Sequence, residues 1–301
     1  MGTTAFDEPA RSGAYALGLR TLRAAGWARS NVLLTAALLI WAVVVLAAVA
    51  PSLFGSGDPN TQDLLNLFAH PGKSHHLLGT DDLGEDVYAR LVHGARVSVA
   101  VGLGAVAIGG VIGIALGVIG GYSRRADWIV TALVDIKMAF PGLLLSLAIV
   151  IMLGHSSIPI LILILGLTGW TAYARVIRSV VRSLRGREFI VAARAGGSGH
   201  MRIVFGHILP NIVGPASVLA VLDLSRVILA EAALSFLGLG IQPPSVSWGL
   251  MLGASRDYIY NAWWLVTFPG IAIGLLVLAT NIVANRLQAT MDPSRRTSRA
   301  A

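Results

Sequence analysis

The stretch Glu188-Phe-Ile-Val-Ala-Ala-Arg-Ala-Gly-Gly-Ser-Gly-His-Met-Arg-Ile-Val-Phe-Gly-His-Ile-Leu-Pro-Asn211 is the longest segment in the second half of the chain that a bilayer would reject, and apolar runs of membrane grade lie on both sides of it. Its pattern predicts two short helices with a break between them. Phe189 to Ala195 is small and helix-permissive, Gly196 and Gly197 interrupt it, and Ser198 is placed to cap a second helix from about Gly199 to His207. Pro210 is then expected to close the segment, because proline ends or kinks a helix at the residue before it. Ala192-Ala193 and Gly196-Gly197 leave the backbone almost free of side-chain bulk, which suits docking into a groove on another protein.

Composition explains why such a segment stands out. Of 301 residues, 55% are hydrophobic and 13% charged, with a mean hydropathy of +0.74, which excludes an ordinary soluble domain. There is no Cys, hence no disulfide framework, thiolate metal site or cysteine nucleophile. The net charge of +8 does not point to nucleic acid, because the Arg residues sit in short loops and no aromatic-interleaved basic face appears. A basic excess in short loops is instead what orients a chain in a membrane.

Working outward, the apolar runs and the charge bias predict an all-α integral membrane protein with six transmembrane helices and both termini cytoplasmic. The expected division is a cytoplasmic tail (1–30) with an interfacial helix near Leu17 to Trp27, and a first membrane helix (31–50). An acidic extracytoplasmic segment (51–95) follows, then a five-helix core (96–286) containing the cytoplasmic loop 186–211, and a second cytoplasmic tail (287–301). A cleaved leader competes for the first apolar run, but that run is too long and Pro51 would follow the cut. The second helix is expected from Val97, the third over about 129–153 with a kink at Pro141, and the fourth over 158–178. The fifth is expected over Ile212–Phe236 and the sixth from Trp264 to about Asn285, with Leu237–Trp263 as an outer loop. In the second helix Gly109, Gly113, Gly117 and Gly121 recur every four residues, a stripe that lets a neighbouring helix approach closely.

Three sets of residues invite chemistry. Gly72-Lys73-Ser74 has the ending of a phosphate loop, but Leu67 occupies the position where the leading glycine belongs, so no nucleotide site is encoded. The seven His residues form no HExxH or comparable set, and His155 has no nucleophile motif beside it, which argues against metal or protease chemistry. Asp223, Arg226 and Glu231 fall inside the fifth span, where ionisable groups are costly and face a bundle interior or a water-filled path. Asp223 and Arg226 are three residues apart, so a buried structural pair is one reading and a pathway-lining role for one of them is the other. Asp135 and Lys137 read as interfacial, near the inner end of the third helix.

The loop resembles the cytoplasmic coupling loop of binding-protein-dependent ABC importer permeases, whose pattern is Glu-Ala-Ala, then Gly, then Ile-x-Leu-Pro. Ala192, Ala193, Gly197 and Ile208-Leu209-Pro210 match; Val191 stands where the family has Glu, with Glu188 three positions earlier. His76 to Val87 with Gly94-Ala95-Arg96-Val97-Ser98, and Leu234 to Pro244 with Ser247-Trp248-Gly249, are similar to the dipeptide, oligopeptide and nickel group, with Glu85 where Arg is usual. The ending, Asn285-Arg286-Leu287 through Met291-Asp292-Pro293, is similar too, and the N-terminal part looks like a C-type subunit. The resemblance implies the type I importer permease architecture in a bacterial plasma membrane. It also implies a passive transport half for dipeptides or oligopeptides and not an enzyme; nickel chelates, haem or another small solute are the alternatives, and a proton-coupled secondary transporter is the rival of another class. Expected partners are a homologous second permease subunit, two ABC ATPase domains, an extracytoplasmic substrate-binding protein and the lipid bilayer, with no nucleic acid. The chain itself is expected to hold no cofactor, ATP and Mg being bound by the ATPase partners. Glu188, Ala192, Ala193, Gly197, Ser198, Ile208, Leu209 and Pro210 are the expected ATPase-coupling residues, and Asp223, Arg226 and Glu231 the candidate pathway residues.

The Cys-free chain allows a direct check of topology by single-Cys labelling of intact cells. Labels at Ser56 and Ser245 are accessible from outside and those at Ser12 and Ser198 are protected; accessibility at Ser198 contradicts the orientation.

Overall fold

A computed structural model describes residues 31–73 and 75–291, so the expected tail and interfacial helix before Asn31 and the tail beyond Met291 lie outside the described residues. Helix α1 (Val32–Val49) carries no charge on any face, as a helix surrounded by lipid must, and its 18 residues reach about 27 Å. It leans on the last helix of the bundle, where Trp41 Nε1 donates to Thr280 Oγ1 at 3.2 Å.

The acidic segment that follows is pinned to the bundle. Thr80 is fully buried, its hydroxyl accepts from the Ala69 amide at 2.8 Å, and Trp264 Nε1 donates to its carbonyl at 3.1 Å. Arg90 pairs with Asp81 at 3.4 Å and with Glu85, while burial pushes the Asp81 carboxyl up to about 6 against the pull of that guanidinium.

Helix α2 (Val87–Tyr122) starts ten residues before the expected Val97, inside the segment read as extracytoplasmic. Asp86 accepts from the Tyr88 amide at 2.8 Å and caps it, so charge marked the edge of the bilayer and not the edge of the helix. At 36 residues α2 is longer than the bilayer is thick, and its first turns stand outside.

The third span is not one kinked helix. It is α3 (Arg124–Met138) and α4 (Gly142–Leu153), bent by 77°. Pro141 supplies the cause: it has no amide to donate and forces Phe140 out of the helical region. Helix α5 (Ile158–Leu184) outruns its expected end at 178 because Asp127 of α3 receives Arg178 at 3.2 Å and Arg182 at 3.7 Å.

After α6 (Glu188–Ala195) and the short α7 (His200–Ile203), a π turn over Val204–Ile208 leads into α8 (Leu209–Phe236). Pro210 therefore does not close the segment. The Leu209 amide bonds to the Val204 carbonyl five residues back, and the widened turn relieves the contact and the missing donor that proline brings. The expected outer loop contains α9 (Trp248–Ser255), laid against α8, before α10 (Trp264–Met291). Gly249 allows this: a Cβ there would stand 2.5 Å from Ala232 Cα. Five helical stretches are long and apolar enough to cross a membrane, and counting the bent α3–α4 pair as one span gives six. Among the described residues there is no strand, only two isolated bridges.

The pairing of α2 with α5 is the most extensive in the bundle, and the glycine stripe makes it. A Cβ at Gly109 would stand 3.1 Å from Gly166 O, at Gly117 2.8 Å from Ile177 Cβ, and at Gly121 2.7 Å from Val181 Cβ. Gly166 returns the contact against Ile108. Gly117→Leu should therefore destabilise the folded chain by about 1–3 kcal/mol through overpacking. The check is a lowered melting temperature in detergent, with Gly57→Leu, at a glycine with nothing within 4 Å, as the silent control.

Candidate functional site

The cytoplasmic segment is presented on one face and anchored by the other. Ile190, Ile203 and Ile208 are fully buried in a cluster with Val118 of α2, Ile177 and Val181 of α5, and Ile212 of α8. Tyr122, at the end of α2, shares a 2.8 Å hydrogen bond with His200 Nδ1, and its carbonyl accepts from Arg185 at 3.1 Å. Opposite this anchor, Glu188, Phe189, Val191, Ala192 and Gly197 are exposed, with Ala193 and Ser198 half-buried. Of the residues assigned to the segment from sequence, Ile208 points into the core and Leu209 is packed beside it, while Pro210 is exposed.

The break after α6 is a Schellman turn. Gly197 has φ +80°, its amide bonds to Arg194 O at 3.1 Å, and the Ser198 amide bonds to Ala193 O at 3.0 Å. Ser198 does not cap the second helix; Gly199 holds that position without a side-chain bond, because the Ser198 amide is already drawn back to α6. Nothing lies within 4 Å of a Cβ placed on Gly197, so that side of the turn is open to a partner.

The second group of residues lies at mid-depth. Halfway along α8, Arg226 Nε donates to Asp223 Oδ1 at 2.6 Å. The carboxylate is buried, but the Arg226 side chain is 44% exposed. Gly169 of α5 leaves room for the guanidinium, since a Cβ there would stand 2.5 Å from Arg226 Nη2. One turn on, the Tyr173 hydroxyl is close enough to Asp223 to interact with it but not in bonding geometry, so it and Asp223 Oδ2 are both buried without a hydrogen-bond partner.

Lys137 joins them. Its ammonium interacts with both Arg226 and Asp223 and lies near the start of α4, 3.7 Å from where a Gly142 Cβ would be. Helix α3 runs along α5, with Asp127 at the Arg178–Arg182 end. Asp135 is exposed. On the cytoplasmic side of Arg226, Val176, Leu219, Leu222 and Gln288 are among the residues lining an open cavity of about 390 Å³.

Glu231 is not part of this group. It is 1% exposed, and its carboxyl accepts from Ser235 at 2.8 Å, Ser247 at 2.9 Å and Ser98 at 3.5 Å. Ser247 also caps α9 through the Leu250 amide, so the carboxyl ties α8, α9 and α2 together. Sequence reasoning missed Gly169 and Tyr173 at the central group and the three serines at Glu231. For Ser98, Ser235 and Ser247 the signal was their presence in the two motif segments quoted above.

The family model described as the binding-protein-dependent transport system inner membrane component matches residues 109–297. The chain is 42% identical over 262 residues to a di/tripeptide transport system permease protein, DppC, of Pseudomonas aeruginosa, covering 85% of this chain and 86% of the relative. It is 38% identical to the nickel transport system permease protein NikC of Escherichia coli (85% and 92% covered) and 34% identical to the oligopeptide transport system permease protein OppC of Bacillus subtilis (89% and 88% covered). Six spans with an anchored cytoplasmic segment and a charged group at mid-depth are thus the body of a transport subunit, and the chain belongs to the inner membrane components of binding-protein-dependent transport systems.

Proposed function

We propose that this chain forms half of the translocation pathway of an ATP-driven importer of dipeptides or short oligopeptides. The observation that carries the reading is Arg226, nearly half exposed at the centre of a membrane helix. An Arg facing lipid at that depth costs at least about 2.5–3.5 kcal/mol, so this face belongs to a partner subunit or a water-filled path. A homologous second permease subunit supplies the other wall, and an extracytoplasmic binding protein delivers the solute. Two ABC ATPase domains, holding ATP and Mg, drive the cycle; this chain carries neither.

Coupling is assigned to the exposed face of α6 and its Schellman turn, Glu188, Ala192, Ala193, Gly197 and Ser198, with Ile208, Leu209 and Pro210 transmitting the movement into α8. An ATPase groove closing on α6 would shift the whole buried cluster around Ile190 and so rock α2, α5 and α8 together. Peptide is favoured as the solute because most of the similar proteins named for their cargo are peptide permeases. Nickel chelate is the alternative, from the nickel permeases among them.

The test is the assembled complex in liposomes, given a labelled dipeptide or a nickel chelate, with ATP hydrolysis followed alongside uptake. Dipeptide uptake that stops without nucleotide supports the reading; chelate uptake with no dipeptide uptake overturns the peptide assignment. In the same system Gly197→Leu should lower hydrolysis stimulated by loaded binding protein at least tenfold while the subunits still co-purify. A side chain there is forced into a positive φ and fills space left open for the ATPase. Wild-type stimulation would show that Gly196 to Gly199 is only a linker.

A further inference from the structure

We propose that Tyr122 is a positioning residue for coupling: through Arg185 and His200 it clamps the chain on both sides of α6 to the end of α2, so that a movement of α6 is delivered to that helix. The inference rests on the coupling reading above and deepens it.

Tyr122 is the last residue of α2, and it reaches the cytoplasmic segment in two ways. Its side chain holds the exit. The hydroxyl shares a 2.8 Å hydrogen bond with Nδ1 of His200, the first residue of α7, and the two rings meet edge to face at 5.7 Å. Its backbone holds the entry, where the carbonyl accepts at 3.1 Å from Arg185, the residue that caps α5 just before α6. Helix α6 is therefore the stretch between two ties that meet at one residue.

The rest of the anchor is apolar. Ile190, Ile203 and Ile208 keep the segment docked, but hydrophobic burial has no preferred direction and tolerates sliding. A hydrogen bond is directional and weakens steeply when bent. Among the described residues, the bond to His200 is the one side-chain hydrogen bond between residues 188–203 and a membrane span. It sets the register of the segment on α2, while the isoleucines hold it in place.

Helix α2 is suited to receive the movement. Its 36 residues run from Tyr122 to the extracytoplasmic side, where Leu91 O accepts from Trp248 Nε1 at 2.8 Å and Ser98 donates to Glu231 at 3.5 Å. A push at Tyr122 thus reaches α9 and the outer part of α8 along a single helix. The tie is also separable from folding. Tyr122 is half-buried and His200 exposed, whereas the three isoleucines are fully buried, so loss of the hydroxyl leaves the apolar anchor intact.

The experiment uses the assembled transporter in liposomes, with whichever of the labelled dipeptide and the nickel chelate wild type carries, and reads solute taken up per ATP hydrolysed. Tyr122→Phe keeps the ring and removes the hydroxyl. It should lower the ratio about fivefold, the size expected for one lost hydrogen bond, while the subunits still co-purify. His200→Ala should lower it equally, and the double variant should lower it no further, because both changes remove the same bond. His200→Asn, which places a hydrogen-bonding atom as many bonds from the backbone as Nδ1, should keep the wild-type ratio. A residue that only stabilised the fold would change the yield of complex and not the ratio. A wild-type ratio in Tyr122→Phe overturns the proposal, and so do additive losses in the double variant. If Tyr122→Phe fails to assemble, His200→Ala decides: a wild-type ratio there overturns the proposal, and failure of both to assemble overturns it by making the contact structural. Gly197→Leu separates this from failure of the coupling reading. If Gly197→Leu uncouples and Tyr122→Phe does not, only the role of Tyr122 falls; if neither uncouples, both readings fall. Uptake of neither solute by wild type overturns the transport reading and this inference with it.

Discussion

A guanidinium at mid-membrane cannot be left to lipid, and the features gathered around Arg226 follow from that constraint. Asp223 neutralises one edge of it, and Gly169 gives it room on α5. Gly169 is available only because α5 lies in backbone contact with α2, where Gly109, Gly113, Gly117 and Gly121 let the two helices close up. Replace that contact by larger side chains and α5 moves away from α8, taking Tyr173 and the space over Gly169 with it. The small-residue packing that membranes favour in place of a hydrophobic driving force is thus what holds the charged group in register.

The same helices carry the cytoplasmic segment. Ile190, Ile203 and Ile208 insert into a cluster formed with α2, α5 and α8, so α6 is not a free loop but a handle fixed to three spans. The π turn before Pro210 keeps the chain helical from His200 to Phe236, which puts α7, just beyond the handle, and the Asp223–Arg226 pair on one continuous rod. A displacement at α6 therefore has a short mechanical route to mid-depth. The Glu231 carboxyl, bound by three serines, fastens the far end of that rod to α2 and α9.

Much of this was legible before any coordinates. Span number followed from uncharged runs, orientation from the Arg-rich loops, the helix–break–helix form of the segment from Ala192-Ala193 and Gly196-Gly197, and the Asp223–Arg226 pair from a spacing of three. What escaped was non-local or depended on unusual hydrogen bonding. Ser98 is 133 residues from Glu231, a distance across which no local pattern speaks. Pro210 was read by the ordinary rule for proline, which a π turn evades.

The central claim is that the face bearing Arg226 lines an aqueous path while the outer face of α2 meets lipid. Leu222 is one helical turn before Arg226 and borders the open cavity; Val111 of α2 is 70% exposed and lies in the uncharged run 97–123. In the Cys-free chain, assembled with its partners in membranes, Leu222→Cys should react with a charged, membrane-impermeant thiol reagent and Val111→Cys should not. Reaction at Val111 with protection at Leu222 would contradict the account.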